Sequence, residues 1–187
     1  MEYNHNDLMP HPQFLELLFA FKSKVSTVFR DILGIHEIHH MALTRINTNN
    51  QILTFSSTPS MEFNLFNSSL WRYDLSYNPL WFNLCSQAPW QTLYNPTRYD
   101  ELYYLKQIKH GFPIGLALAA KIDEHCVIYS LASHKSCPHT RELFSTQQEE
   151  FYQIGQYCSN MLNPLFNHCD MLASQALSKQ VEYETSK

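Results

Sequence analysis

Apolar residues recur at steps of three and four along the first part of the chain: Phe14, Leu17, Leu18, Phe21, Val25, Val28, Phe29 and Ile32. The spacing predicts one amphipathic helix over about Pro12–Leu33, stopped by Gly34 at its C′ position. His36–Ile46 and Gln51–Ser57 are instead rich in strand formers. The short turn Asn47-Thr48-Asn49-Asn50 between them predicts a β-hairpin. A second strand pair is expected at Ile114–Ile122 and Cys126–Ser133, around Asp123-Glu124. Alanines 117, 119, 120 and 132 leave room over that sheet for something bulky. Helical periodicity returns at Phe151, Ile154, Gly155, Cys158, Met161, Leu162, Leu165 and Phe166. Ser145-x-x-Gln148 reads as the capping box of this helix, Phe144 as its staple, and Pro164 as a kink or break.

Between the hairpins the pattern changes. Thr58-Pro59 and Asn78-Pro79 each read as an N-cap followed by proline at N1, opening short helices. Tyr99–His110 is helical by composition and stops at Gly111. The stretch LWRYDLSYNPLWFNLCSQAPW, residues 70–90, holds all three tryptophans of the chain, Trp71, Trp81 and Trp90. The order of elements is therefore α-β-β-(short helices)-β-β-α. It predicts an α+β fold, an α-β-α layered sandwich in which an antiparallel sheet of four to five strands is flanked by helices. Residues 10–168 are expected to form one domain, and 169–187, where the pattern weakens, a helical or frayed tail.

Composition narrows the function. A chain of 187 residues with 44% hydrophobic content can bury a core of its own. Only four glycines are present, and no GxGxxG, Walker A or nucleophile-elbow pattern occurs. With a net charge of −4 and no basic cluster, direct contact with nucleic acid is not expected. The longest nearly uncharged apolar run, Gly111–Ala120, is far short of the roughly 20 residues that span a bilayer. No signal peptide is legible, and five cysteines without a CxxC fit reduced thiols, so a cytoplasmic location is expected.

Candidate chemistry is concentrated in the aromatic stretch. Buried indole N–H and phenol O–H groups need acceptors, which either backbone carbonyls or a polar ligand can supply. Trp71, Tyr73, Asp74, Tyr77 and Trp90 are thus core or pocket wall. Tyr103 either packs with Tyr99 or closes the same pocket. His36-x-x-His39-His40 on a strand would split its imidazoles between two faces. His134-x-x-Cys137-x-His139 could gather three ligands around zinc but lacks an evident fourth, and solvated loop residues are the simpler reading. Asp100 and Glu101 read as first-turn acids, and Lys106 and Lys109 as the solvated face of their helix. No catalytic residue, metal site or cofactor is assigned.

The aromatic spacing of LWRYDLSYNPLWF and APW, followed by KHGFPIGLALAAKIDEHCVIYSLASH, resembles the N-terminal ligand-binding domain of LuxR-type quorum-sensing regulators, a relative of GAF and PAS folds. The resemblance implies an acyl-lactone-like pocket lined by Trp71 and Tyr73. An aspartate in an Asp-Pro step would bind the ligand amide, and Asn78-Pro79 stands at that step, neutral where the family has a carboxylate. Trp90 takes the place of the tryptophan that holds the lactone carbonyl, and Ser130 that of the last-strand hydroxyl. The family's C-terminal helix-turn-helix has no counterpart after Cys169. The expectation is a non-catalytic sensor of an apolar or amphipathic small molecule, with a homodimer or a regulatory protein as partner. The first alternative is an interaction module of the same fold with a filled core. The second is a thiol or zinc enzyme around Cys137 and His139.

Overall fold

The computed structural model describes residues 8–186, so Lys187 of the expected tail lies outside the described residues. The sheet has six strands: β1 (Met9–Pro10), β2 (His40–Ile46), β3 (Gln51–Ser56), β4 (Gln87–Pro89), β5 (Ile114–Ile122) and β6 (His125–Ser133). Their spatial order is β1-β3-β2-β6-β5-β4. The two predicted hairpins form the sheet's centre, joined through β2 and β6 in antiparallel register with Ala42 opposite Ser130. Two short edge strands extend it: β1 pairs parallel with β3, and β4 antiparallel with β5. The sheet is therefore mixed, within the α+β layered architecture that the pattern predicts.

Every residue of β2 is buried, because both faces of the sheet are covered. Successive side chains point to opposite faces. Arg45 donates to Asn163 Oδ1 and Asn167 Oδ1 at 3.0 Å and to Asp170 Oδ2 at 2.5 Å, all on the long helix α7 (Gln148–Thr185). His40 and Thr44 face the other way, towards the helical excursion between the hairpins.

The first helix is two helices, α1 (Phe14–Ala20) and α2 (Lys22–Arg30), broken at Phe21, whose backbone leaves the helical region (φ −112°, ψ 33°). The break lets one apolar stripe serve two neighbours. α1 packs on β3 and α3 (Pro59–Asn67), while α2 packs on α7. Gly34 adopts the left-handed conformation expected at the end (φ 98°). His36 and Glu37 are also left-handed, in a tight turn, so the strand begins only at His40 and His36 is not on it.

α7 overturns two local expectations. Ser145 does not cap it, because Ser145 lies inside another helix, α6 (Pro138–Thr146), which Cys137-Pro138 opens. The serine hydroxyl donates to Glu142 O instead. Pro164 does not break α7, which runs on to Thr185. The proline sits on the exposed side with Asn160 one turn before it, so the carbonyl that loses its partner faces water.

Gly155 fixes how closely α7 approaches the sheet. A Cβ there would lie 2.3 Å from the ring of Tyr129, which is fully buried on β6. Alanine would gain about 1 kcal/mol of helix propensity. Overpacking against a ring that cannot retreat costs more, about 1–3 kcal/mol. Gly155→Ala is therefore expected to lower the melting temperature, and an unchanged or raised melt would show that α7 can lift off the sheet freely.

Candidate functional site

The space between excursion and sheet has a floor of small residues. By strand alternation Ala42, Ser130, Ala132, Ala117 and Gly115 share the face opposite α7. Trp90 lies flat on this floor, and a Cβ on Gly115 would come within 2.0 Å of its indole. The room over this floor is thus filled by the chain's own tryptophan, which is 2% exposed. Ala120, in register with Val127 and Arg45, is on the α7 face and leaves no room here. Trp90 Nε1 donates to Ser130 Oγ at 3.0 Å.

Over the indole lies Lys106, with Nζ 4.7 Å from the centre of the Trp90 ring and 5.3 Å from that of Tyr94. Its ammonium donates to Asp74 Oδ2 at 2.7 Å, and both side chains are buried. Asp74 Oδ1 accepts from the backbone N–H and the hydroxyl of Ser76. Lys106 is therefore not on a solvated face. After α5 (Tyr99–Tyr103) the helix widens into a π-helical turn, Tyr104–Lys109, which turns Leu105, Lys106 and Gln107 inward and leaves Lys109 outside. Gln107 and the Tyr94 hydroxyl bond each other at 3.0–3.1 Å, and burial pushes the Tyr94 phenol well up.

A second buried pair adjoins the first. His40 Nε2 is 3.7 Å from Glu62 Oε1, with His40 packed against the rings of Trp90 and Phe112. Thr58, at the N-cap position of α3, engages His40 Nδ1 at 3.1 Å rather than capping the helix with its side chain. His40 Nε2 and Glu62 Oε2 have no hydrogen-bond partner among the described residues. Burial drives the His40 pKa down to about 3, with Lys106, His110 and His134 adding repulsion. Burial pushes the Glu62 carboxyl up to about 7, against the Ser56 hydroxyl and the Lys106 charge. Tyr77 ties the pairs together: burial, then Asp74 and Glu62, raise its phenol pKa, while a hydrogen bond with Thr44 acts against them.

The structure thus brings Asp74, Tyr77, Trp90 and Ser130 into one buried polar cluster. The remaining residues singled out in the sequence lie elsewhere. Trp71 continues an aromatic stack from Phe14 through Phe66, with Tyr77 edge-on to Phe66 and Trp71. Tyr73 is half-buried under the Arg98 guanidinium. Asn78 caps α4 (Pro79–Phe82), its Oδ1 accepting from Leu80 N at 2.9 Å. It borders an open groove of about 660 Å³ between α4 and the turns of both hairpins. Tyr103 stacks on Tyr99 and is exposed. Asp74, four residues before the Asn-Pro step, is one of two buried acids of the excursion, with Glu62 on α3.

The sequence pattern places Lys106 on a solvated face and gives no sign that Glu62 and His40 are buried together. One signal was available, since Lys106 follows buried Leu102 by one helical turn and so shares its face. Of the zinc candidate, His134 is stacked between Phe112 and His39 and bonds Gly111 O. Cys137 Sγ pairs with Thr140 Oγ1, a contact that lowers the thiol pKa. Among the described residues no three His, Cys, Asp or Glu side chains are placed to hold a metal ion.

No family model matches the sequence. No curated protein matches it either. Among solved structures the chain is similar to Escherichia coli SdiA, with a TM-score of 0.55 and 13% identity over 75% of this chain and 61% of that one. It is likewise similar to SdiA in complex with octanoyl-rac-glycerol, with a TM-score of 0.53 and 14% identity over 81% of this chain and 64% of that one. The chain therefore spans less than two thirds of the length of either structure. At such identity the likeness concerns architecture, and it agrees with the resemblance drawn from the aromatic spacing: the protein has an α+β fold similar to the LuxR-type autoinducer-binding domain of SdiA.

Proposed function

We propose that the chain is a non-catalytic, cytoplasmic small-molecule sensor domain of a signalling or transcription-regulatory protein. Its ligand is an apolar or amphipathic molecule, of the acyl-homoserine-lactone or acylglycerol kind, seated between the excursion and the sheet. One observation carries this reading: the polar groups of the interior converge around Trp90, where His40 Nε2 and Glu62 Oε2 lack partners. A purely structural core would place apolar atoms there, since an unpartnered buried polar group costs about 1–3 kcal/mol. Ligand sites are mostly apolar with a few convergent polar groups. The SdiA complex with octanoyl-rac-glycerol supports the ligand class. Among the described residues no helix is long and apolar enough to cross a membrane.

Thermal melts with octanoyl-rac-glycerol and with acyl-homoserine lactones of graded chain length test the proposal. A true ligand at about 100 times its Kd adds roughly 2.7 kcal/mol. No shift with any member of the series, together with no small molecule retained from cells in native mass spectrometry, would reject it.

A second reading is favoured by a separate observation. Lys106 with Asp74 and Trp90 with Ser130 already satisfy each other, as in a filled core. The domain would then work by dimerising or by docking a regulatory protein. A concentration-dependent dimer by sedimentation, without any ligand response, would favour it.

A further inference from the structure

The buried pair beside Trp90 carries information about the ligand's head group. His40 Nε2 and Glu62 Oε1 are 3.7 Å apart, beyond direct hydrogen-bonding distance, while His40 Nε2 and Glu62 Oε2 are unpartnered. His40 is fully buried and Glu62 is 4% exposed, so bulk water does not satisfy them. Asp74 and Lys106 cancel each other's charge a short way off. The neutral imidazole offers one donor or acceptor at Nε2, and the carboxyl offers an acceptor or, when protonated, a donor. A hydroxyl complements both, because it accepts and donates through one atom. A carboxylate head would meet another carboxyl, and an ammonium head would require Glu62 to ionise where burial opposes the charge. The residues packed on the pair, Ser56, Thr58, Tyr77, Trp90 and Phe112, bring no further charge to it.

We propose that His40 and Glu62 form the head-group end of the ligand site and select a neutral, hydroxyl-bearing head on an acyl chain. This rests on the sensor reading above and deepens it. The pair joins β2 to α3, so that filling it ties the first hairpin to the excursion.

Three probes with one acyl chain test it by calorimetry or tryptophan fluorescence: 1-octanoylglycerol, methyl octanoate and octanoate. The hydroxylated probe is expected to bind roughly tenfold or more tighter than the methyl ester, as one hydrogen bond to a buried, ionisable partner implies. Octanoate is expected to bind weakest. In Glu62→Leu, which removes the carboxyl and its unpartnered Oε2 at nearly constant volume, the preference for the glycerol ester is expected to fall to within about twofold, the methyl ester binding as before. Equal affinity of glycerol and methyl esters for the parent protein would overturn this inference while leaving the sensor reading standing. Binding of none of the three probes or the lactones would overturn both. Should Glu62→Leu fail to fold, the parent's ranking of the three probes still decides.

Discussion

Lys106→Met is expected to destabilise the protein by about 3–5 kcal/mol, because it leaves the Asp74 carboxylate buried without its counter-charge. Methionine keeps an unbranched apolar stem of nearly the same length, so the loss is mainly electrostatic and includes the contacts of Nζ with the Trp90 and Tyr94 rings. Ser76 still donates twice to Asp74 Oδ1, but Oδ2, 2.7 Å from the ammonium, keeps no charged partner. Adding Asp74→Asn should restore most of the stability: asparagine retains the oxygen that Ser76 needs and removes the stranded charge. The measurement is urea unfolding of the parent, both single variants and the double variant. Additive losses would mean that the pair does not interact. The same set bears on function. If ligand takes over the role of Lys106 at Trp90, the double variant should still be stabilised by the acyl probes; if the domain is a filled core, no variant will respond.

Glu62→Leu should have the second large effect, and it should grow with pH. The folded protein holds the Glu62 proton from pH 4.5, the ordinary value, up to about 7, where the unfolded chain has already released it. Folding in that window therefore takes up a proton, and stability falls as pH rises through it. Leucine removes this penalty. The variant's advantage over the parent should be small at pH 4, rise between about 4.5 and 7, and then stay level at on the order of 3 kcal/mol. His40 acts with the opposite sign: its folded pKa of about 3 lies below the ordinary 6.5, so stability is lost as pH falls through that interval. His40 is present in both proteins and drops out of their difference. Parallel stability curves for parent and variant across pH 4–8 would show that Glu62 is not buried as a shifted acid.

Both predictions concern residues that the sequence read poorly, and the reason is physical. Periodicity reports which side of an element meets other chain, and it placed the two hairpins, Gly34 and, apart from exposed Met161, the stripe of α7. It does not report whether a helix keeps its period. The π-helical turn at Tyr104–Lys109 brings Leu105, Lys106 and Gln107 inward together, a wider buried arc than a regular helix presents, and no propensity marks that widening. The two local rules that failed at α7 are also ones of context. A capping box needs its serine outside a helix, and α6 had already claimed Ser145. Proline breaks a helix where the freed carbonyl is buried, and at Asn160 it is not. For the cluster itself, the small floor and Trp90 were legible as complementary sizes. That the tryptophan would fill the space beneath a lysine required two segments distant in sequence, and a single sequence pairs only near neighbours.

Neighbouring residues on β2 belong to different layers: Thr44 faces the polar cluster and Arg45 reaches α7. A slip of β2 by one residue would exchange them. The guanidinium would enter the layer that already holds Lys106, and Asp170, Asn163 and Asn167 would lose their donor. Hydrophobicity penalises such a slip weakly in a strand buried on both sides. Charge supplies the discrimination here, fixing the one alignment in which each cation finds its own carboxylate.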